Sequence, residues 1–305
     1  MPAVRNQIGS DTPYHTWSPI NSRKLLKWPK GQRVAVVIVV AVEYAELVPP
    51  ENALVPPTFV RQGPYPKLPD IHEVSPREYG NRVGLFRVLK AMDDYGIKGT
   101  AALDAAVALR YPFIIDQIKQ RGWEIIGHSL VSNRMISQNM SDEEETEYIR
   151  ESLEIIRRVT GEPVLGWSGV DYGQSSRTIK ILAQHGIRYM CDWPNDDQPY
   201  RMTVPQGQMI ALPMFHELDD SVNRARRIAI GRWAQLVCEC FDQLYLNGQS
   251  QGRVLVLNIH PWITGQPYRI KAFTEILAHI TKHKDVWITT GSDVVDWTIS
   301  QVDTQ

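Results

Sequence analysis

Short runs of apolar residues recur along the chain, and segments with helical periodicity separate most of them. The longest run, Val34–Val42, is apolar at all nine positions, as is typical of a strand buried on both faces. Such runs in alternation with helices predict a parallel sheet. The eight predicted strands cover residues 34–42, 98–103, 123–127, 164–167, 187–193, 209–215, 254–259 and 286–290.

Helix signals lie between these strands. Residues 80–95 carry apolar side chains at helical spacing and are followed by Gly96, and glycine commonly ends helices. Ser141 and Glu144 have the spacing of a capping box, which predicts a helix that ends at Gly161. The other predicted helices begin at Ser175 or Ser176 and end at Gly186, or cover residues 223–246 and 269–282.

This alternation within 305 residues predicts a distorted (β/α)7 or (β/α)8 barrel in a single domain. A doubly wound open sheet is the alternative. The predicted barrel covers residues 34–300, follows an N-terminal arm at 1–33 and contains a proline-rich loop at 47–76. No domain boundary is drawn at that loop, because long loops inside compact domains usually wrap the domain or serve its function.

Polar residues stand directly after most of the predicted strands. The C-terminal ends of barrel strands meet at one face, where barrel enzymes carry their active sites. This one-sided pattern therefore predicts a site at that face. The polar residues are Glu43, Asp104, His128, Ser168, Asp192, Asn195, His216, Glu217 and His260.

Glu43, His128 and His260 are the three predicted catalytic residues. Burial after the first strand would raise the pKa of Glu43, which suits a general base or a metal ligand. An ion pair with Arg82 is the structural alternative. His128 and His260 each end a strand, where a histidine is a ligand, a proton carrier or a hydrogen-bonded core residue. Their common placement with Glu43 favours catalysis.

Five further residues are predicted to bind substrate. Loops after barrel strands often bind substrates, although runs such as Asn-Asp-Asp also form ordinary turns. Glu217 belongs to an acidic cluster with Asp219 and Asp220, which either binds a metal ion or begins a helix. The predicted substrate-binding residues are Arg82, Trp167, Asp192, Asn195 and Glu217.

Composition narrows the classes of function. The apolar fraction of 43% and the charged fraction of 22% are ordinary for a globular protein. A formal net charge of −1 offers no attraction for nucleic acid or an anionic membrane, so a small-molecule partner is expected. The three cysteines lack metal-ligand spacing, and free thiols indicate a cytoplasmic protein. Nucleotide-binding, serine-hydrolase and zincin motifs are absent from the sequence.

Several segments together resemble the polysaccharide deacetylase-like (NodB-homology) superfamily, and in particular its allantoinase and cyclic imide hydrolase branch. The resemblance implies a distorted barrel, hydrolysis of a carbon–nitrogen amide-type bond and a homo-oligomer. The segments are VAVEYAEL, EYGNRVGLFRVL, GWEIIGHS, GWSGVDYGQSSRTIKILAQHGIRYMCDWPNDDQPY, LNIHPWITGQPYRI and DVWITTGSDVVDW.

The chain departs from this family at its metal site. Metal-dependent deacetylases of the superfamily use an Asp-Asp pair after the first strand and His-x-x-x-His after the third. Here Glu43 stands near the ligand aspartate, and apolar Ala41 or Val42 occupies the position of the base. Ser132 replaces the second histidine.

These departures bear on the cofactor. Glu43 and His128 alone would hold an ion weakly, because zinc sites normally have at least three protein ligands. We therefore expect no cofactor. The alternative is a divalent metal ion held by Glu43, His128 and a third ligand from Asn133 or Glu217.

The resulting hypothesis is a ring-opening amidohydrolase acting on a cyclic imide, an allantoin-like ureide or a related ring. Glu43 would activate water, His128 would polarise the carbonyl or hold the water, and His260 would protonate the leaving nitrogen. Two alternatives are a metal-dependent N-deacetylase of acylated sugars or amides and a non-catalytic barrel that binds a small molecule.

Overall fold

The computed structural model describes residues 12–57 and 69–303. Part of the predicted N-terminal arm and residues 58–68 of the proline-rich loop lie outside the described residues. The strands are β1 (Val34–Val42), β2 (Thr100–Asp104), β3 (Glu124–Ser129), β4 (Gly166–Trp167), β5 (Tyr189–Met190), β6 (Tyr200–Met202), β7 (Met209–Ala211), β8 (Arg253–Ile259) and β9 (Val286–Ile288).

All nine strands form one curled sheet in the order β6-β7-β5-β4-β3-β2-β1-β8, with β9 also paired to β1. Every pair is parallel except β6 with β7. Two backbone hydrogen bonds join the far edge of β8 to the chain around β6 and β7: Val254 N donates to Asp197 O (2.9 Å), and Phe215 N donates to Val256 O (3.2 Å). The structure thus confirms the predicted distorted barrel, and the alternative, a doubly wound open sheet, is wrong.

Helices cover the outside of this barrel, and the last of them also packs Val294 and Val295 into the interior core. They are α1 (Ile71–Tyr79), a π-helical turn (Gly80–Gly84), α2 (Leu85–Asp93), α3 (Ala105–Arg110), α4 (Pro112–Gln120), α5 (Asp142–Thr160), α6 (Thr178–Gln184), α7 (Asp220–Ala225), α8 (Ile230–Asn247), α9 (Pro261–Thr264), α10 (Ile270–Thr281) and α11 (Gly291–Asp303). None of the described helices is long and apolar enough to cross a membrane.

The predicted capping box is confirmed: Ser141 accepts from the Glu144 amide, and Gly161 ends α5 with φ 70°. The single helix predicted at 223–246 is wrong, because the chain breaks between α7 and α8, where Arg227 has φ 59°. Strand β6 falls in a segment that the sequence pattern predicts to be a loop. Its antiparallel pairing with β7 creates the strand, so local sequence carried no signal for it.

Alternate residues of the strands fill two cores. Ala35, Val37 and Val39 of β1 pack with the inward residues of other strands in the barrel interior. Val36 and Ile38 face the outer core with residues of the surrounding helices. This period of two sets the direction of the side chains at the strand ends.

A close crossing of two glycine-containing segments holds α9 against the π-helical turn. A Cβ atom on Gly84 would overlap the carbonyl oxygen of Pro261, and one on Gly265 would overlap Gly84. A Cβ on Gly80 would lie 3.0 Å from Trp262 Cβ. The position of Trp262 thus depends on these glycines.

We expect Gly84→Ala to lower the free energy of unfolding by about 1–3 kcal/mol, because the added methyl group overpacks the crossing. Gly84 has φ −61°, which alanine adopts freely, so the cost is steric. Urea unfolding measures it. Gly231→Ala in α8 is the matched control, since open space surrounds that position. An equal effect of both substitutions would contradict this account.

Candidate active site

A narrow cavity lies at the C-terminal ends of the barrel strands. Its volume is about 10 Å³, roughly what one water molecule requires. Charged and hydrogen-bonding side chains from five parts of the chain meet there. The lining residues are Glu43, His128, Gly169, Asp171, Tyr172, Met214, Asp219, Ser221, Asn258, His260 and Trp262.

The strand period explains why the three predicted catalytic residues meet. Glu43 continues the inward-facing positions of β1, and His128 lies two residues after inward-facing Ile126 of β3. His260 continues the inward series Val254 and Val256 of β8. The structure therefore brings Glu43, His128 and His260 to one cavity, as the sequence pattern predicts.

Glu43 is a buried carboxylate, 4% exposed, that remains ionised. Burial acts to raise its pKa, but the charges of His260, His128 and Arg77 outweigh burial and lower the pKa to about 2. The indole Nε1 of Trp262 donates to Glu43 Oε2 at 2.6 Å. The raised pKa predicted for Glu43 is therefore wrong. The arginine that acts on Glu43 is Arg77, whereas the sequence suggested Arg82.

His128 is oriented by its backbone contact. Its Nδ1 lies in a short hydrogen bond with the carbonyl oxygen of Ser168, and a carbonyl only accepts, so Nδ1 carries the proton. His128 Nε2 is buried without a hydrogen-bond partner and lies 3.8 Å from Glu43 Oε1. Burial acts to lower the pKa of His128, but Glu43 and Asp104 raise it above 6.5.

His260 and Asp220 form a buried ion pair. His260 Nδ1 lies 2.6 Å from Asp220 Oδ1, and Thr264 Oγ1 donates to Asp220 Oδ2 at 2.6 Å. Burial acts to lower the pKa of His260, but Asp220, Asp219 and Glu43 raise it to about 10. His260 is accordingly an imidazolium at neutral pH, and its Nε2 is the ring nitrogen left for the cavity.

Asp219 organises the opposite wall. It caps α7 by accepting from the amide of Ser221 (2.7 Å), and Asn258 Nδ2 (2.7 Å) and Tyr172 OH (3.2 Å) also donate to it. The wall continues through Asp171 and Tyr172, which have φ 50° and 61°. Left-handed conformations are costly for such residues and often occur at functional sites.

Two other buried carboxylates stand behind the cavity. Asp104 accepts from the Tyr44 amide at 2.8 Å and from Ser129, and burial raises its pKa to about 6. Asp192 accepts from the Gly169 amide at 2.8 Å, and burial raises its pKa to about 7. Asp192 therefore supports the cavity wall through Gly169.

None of the five predicted substrate-binding side chains lines the cavity. Arg82 is exposed on the π-helical turn, because the turn directs Asn81 inward instead. Asn195 is exposed and accepts from Tyr200 OH. Glu217 is exposed and paired with Arg226.

The other two lie deeper. Trp167 is fully buried in the outer core, against Gly127, because it occupies an outward position of its strand. Asp192 lies behind Gly169. Strand-end location alone did not reveal which way each of these side chains points. Substrate binding by the five residues stays a prediction.

Sequence reasoning also left several lining residues without a role. The sequence predicts Asp219 and Asp220 only as part of an acidic cluster that binds a metal ion or begins a helix. In the structure Asp219 caps α7, and Asp220 pairs with His260. Trp262 and Asn258 each lie two residues from His260 in the segment LNIHPW, and this closeness in sequence is the signal that could have identified them as site residues. Tyr172 carried no such signal, because an unusual backbone conformation places it.

The donor set tests the metal alternative. The Glu43–His128 separation of 3.8 Å is compatible with two ligands of one ion. Both residues predicted as third ligands have other partners. Asn133 Oδ1 accepts from Glu46 N and Asn133 Nδ2 donates to Glu46 O, both at 2.9 Å. Glu217 is exposed and pairs with Arg226. Ser132 donates to Tyr44 O at 3.0 Å and ties the same two loops together.

Two groups of His, Cys, Asp and Glu among the described residues bring at least three ligand atoms within 4.8 Å of one another. Neither contains Glu43 or His128. The group at the cavity, Asp219, Asp220 and His260, already has donors on both carboxylates. A three-ligand metal site therefore does not fit the side chains around Glu43 and His128.

Comparison with known proteins agrees with this fold. The polysaccharide deacetylase family model matches residues 78–190. The crystal structure of PuuE allantoinase has a TM-score of 0.81 and 25% sequence identity, over 90% of this chain and 92% of that chain. A peptidoglycan deacetylase of Helicobacter pylori is 21% identical over 73% of this chain and 86% of its own length.

A Schizosaccharomyces pombe protein assigned to the polysaccharide deacetylases is 23% identical over 88% of this chain and 90% of its own length. These findings show that the fold is a NodB-like distorted barrel. The match over residues 78–190 and the shared barrel relate this chain to the polysaccharide deacetylase superfamily, as its sequence segments indicate. Members of that superfamily generally use a divalent metal.

We expect Asp220→Asn to lower the pKa of His260 by about 1–3 pH units, because the nearest opposite charge is lost. The folded pKa of about 10 exceeds the ordinary value of 6.5, so the ion pair stabilises the fold fully below pH 6.5 and is lost as pH rises through 10. The difference in unfolding free energy between wild type and variant should shrink over that range.

NMR titration of the His260 ring and urea unfolding at several pH values check this. Asp242→Asn is the matched control, because it removes an exposed aspartate–histidine contact of the same 2.6 Å length. A His260 titration that is the same in wild type and Asp220→Asn would disprove the ion-pair assignment.

Proposed function

We propose that this protein is a ring-opening amidohydrolase that adds water to the carbonyl of a small cyclic imide, an allantoin-like ureide or a related cyclic amide. The observation that carries the proposal is the buried set of charges around a water-sized cavity. It combines an ionised Glu43, a His128 Nε2 atom without a hydrogen-bond partner and an imidazolium at His260.

The nucleophilic water is held between His128 and Glu43. The 3.8 Å between His128 Nε2 and Glu43 Oε1 is too long for a hydrogen bond, but a water oxygen about 2.8 Å from both atoms fits between them. His128 Nε2 accepts the proton as water attacks the carbonyl carbon. Glu43, with a pKa of about 2, is a weak base, so its role is to stabilise the imidazolium that forms.

His260 supplies the proton that the leaving nitrogen needs. Collapse of the tetrahedral intermediate breaks the carbon–nitrogen bond, and His260 Nε2 protonates the nitrogen while Asp220 holds Nδ1. The products are a carboxylic acid and an amide on one opened chain. An imide nitrogen leaves more readily than the amine of an acylated sugar, so opening an imide ring needs less electrophilic help.

A ring needs more room than the cavity offers. Met214 borders both the cavity and a cleft of about 1220 Å³ formed with residues 15–26 and 194–203. We infer that substrate enters from this cleft by displacing Met214, and that Tyr172 moves with it. Closure around the substrate would then exclude bulk water.

The comparisons support hydrolysis of an amide-type bond more directly than they support a cyclic substrate. PuuE allantoinase is named for a cyclic ureide, whereas the other relatives are named as deacetylases. A metal-dependent N-deacetylase is the second candidate, favoured by the 3.8 Å Glu43–His128 spacing. The homo-oligomer, the cytoplasmic location and the small-molecule partner stay predictions.

The first experiment incubates EDTA-treated protein with hydantoins, succinimide, glutarimide, allantoin, dihydropyrimidines and N-acetylated amino sugars. We expect mass spectrometry to find a gain of one water on a ring compound. Glu43→Gln, His128→Gln and His260→Gln should each lower kcat by about 100-fold or more, because each removes a proton carrier or its counter-charge. Glu147→Gln and His185→Gln are matched controls away from the cavity.

Three results would contradict the proposal. Loss of an acetyl group that requires added metal would identify the deacetylase. Thermal stabilisation by a ligand without any product would identify a binding barrel. Unchanged turnover in the Glu43 or His260 variant would remove the mechanism.

The pH dependence of kcat/KM should be bell-shaped. Activity rises as His128 loses its proton, above pH 6.5, and falls as His260 loses its proton near pH 10. Asp104→Asn should move the acidic limb to lower pH, since Asp104 raises the pKa of His128. Asp220→Asn should move the alkaline limb to lower pH. A profile in which neither variant moves its limb would refute these roles.

A further inference from the structure

We propose that Asp242, His279 and His283 form a surface site for one divalent transition-metal ion of the zinc class. Their ligand atoms all lie within 4.8 Å of one another. None of the three lines the catalytic cavity. The inference rests on these side chains alone and is independent of the proposed function.

Two packed helices bring the three side chains together. Asp242 lies on α8, His279 lies in the last turn of α10, and His283 follows four residues later. Residues four apart on a helical turn face the same way, and the two imidazole centroids are 5.0 Å apart. Two histidines at this spacing with one carboxylate are an ordinary zinc ligand set.

The ring of His283 is set for metal binding by a backbone hydrogen bond. Its Nδ1 lies 2.9 Å from the carbonyl oxygen of His279, so Nδ1 carries the proton and Nε2 keeps its lone pair. Nε2 faces Asp242 Oδ1 at 3.9 Å. Metal-bound histidines usually donate their other ring nitrogen in this manner.

Aromatic packing orients both rings. The Phe241 ring meets those of His279 and His283 edge-on, at centroid distances of 5.8 and 5.0 Å, and Tyr245 lies 5.0 Å from His283. The imidazoles are therefore held before an ion arrives, which lowers the cost of binding.

The distances fit zinc after a small opening. His279 Nε2 and Asp242 Oδ1 are 2.6 Å apart as hydrogen-bond partners, whereas the ligand atoms of a tetrahedral zinc ion lie ~3.3 Å apart. The Asp242 side chain is 51% exposed and has room to shift by this amount, and the exposure of His279 and His283, 31% and 29%, lets water supply the fourth ligand.

An ion at this site would link α8 to α10 on the outside of the barrel. It would also mean that a stoichiometric metal in purified protein does not by itself identify a metallohydrolase. Irving–Williams preferences place nickel and copper among the ions that such ligands accept. Metal content must therefore be assigned by variants of both sites.

The test uses untagged, EDTA-treated full-length protein and equilibrium dialysis against zinc chloride. We expect one zinc per chain and a Kd raised about tenfold or more by His279→Gln or His283→Gln, since a ligand is lost. His185→Gln is the matched control: its Nδ1 also bonds a main-chain carbonyl, at 2.9 Å, but it is outside the group. That variant should bind zinc like wild type.

Circular dichroism and thermal unfolding without zinc confirm that each variant folds. Zinc should raise the Tm of wild type and of His185→Gln but not of the His279→Gln/His283→Gln double variant. The proposal is overturned if wild type binds no zinc, or if the double variant binds one zinc with wild-type affinity. In the second case, loss of zinc from His260→Gln would assign the ion to Asp219, Asp220 and His260.

Discussion

Attraction between buried opposite charges is the condition on which this site depends. Burial opposes the ionisation of Glu43, and the positive charges of His260, His128 and Arg77 reverse that effect. Asp220 in turn keeps His260 charged. Each charge is stable in the dehydrated barrel only because of its neighbours, so loss of one leaves the others uncompensated.

The barrel makes this arrangement possible by bringing distant segments together. Glu43 and Trp262 are 219 residues apart along the chain, yet the indole donates to the carboxylate at 2.6 Å. Trp262 reaches that position because α9 crosses the π-helical turn at Gly80 and Gly84, where no larger residue fits. Packing outside the cavity thus controls the hydrogen bonding inside it.

Ser132 has a structural role at the position where the family resemblance implies a second histidine. In place of the second histidine of the metal-dependent deacetylases, Ser132 donates to Tyr44 O. Asn133 bonds the backbone of Glu46. The loop after β3 is therefore tied to the loop after β1 by ordinary hydrogen bonds, which hold Glu43 and His128 close together.

Sequence patterns predicted much of the fold, because apolar runs and capping residues act locally. The run at β1 and the capping box of α5 are both confirmed. Prediction failed where structure depends on distant partners. Strand β6 exists only through its pairing with β7, and the break between α7 and α8 follows from packing and a left-handed residue at Arg227.

The same division applies to the site. The sequence by itself determined that Glu43, His128 and His260 stand at the C-terminal ends of strands, because the apolar runs show where those strands end. The structure showed that all three side chains face inward. Tertiary structure alone decided their ionisation, because a pKa depends on charges that are remote in sequence, such as Arg77 and Asp220. It also decided which loop residues form the cavity wall, since irregular backbone has no period that a sequence reveals.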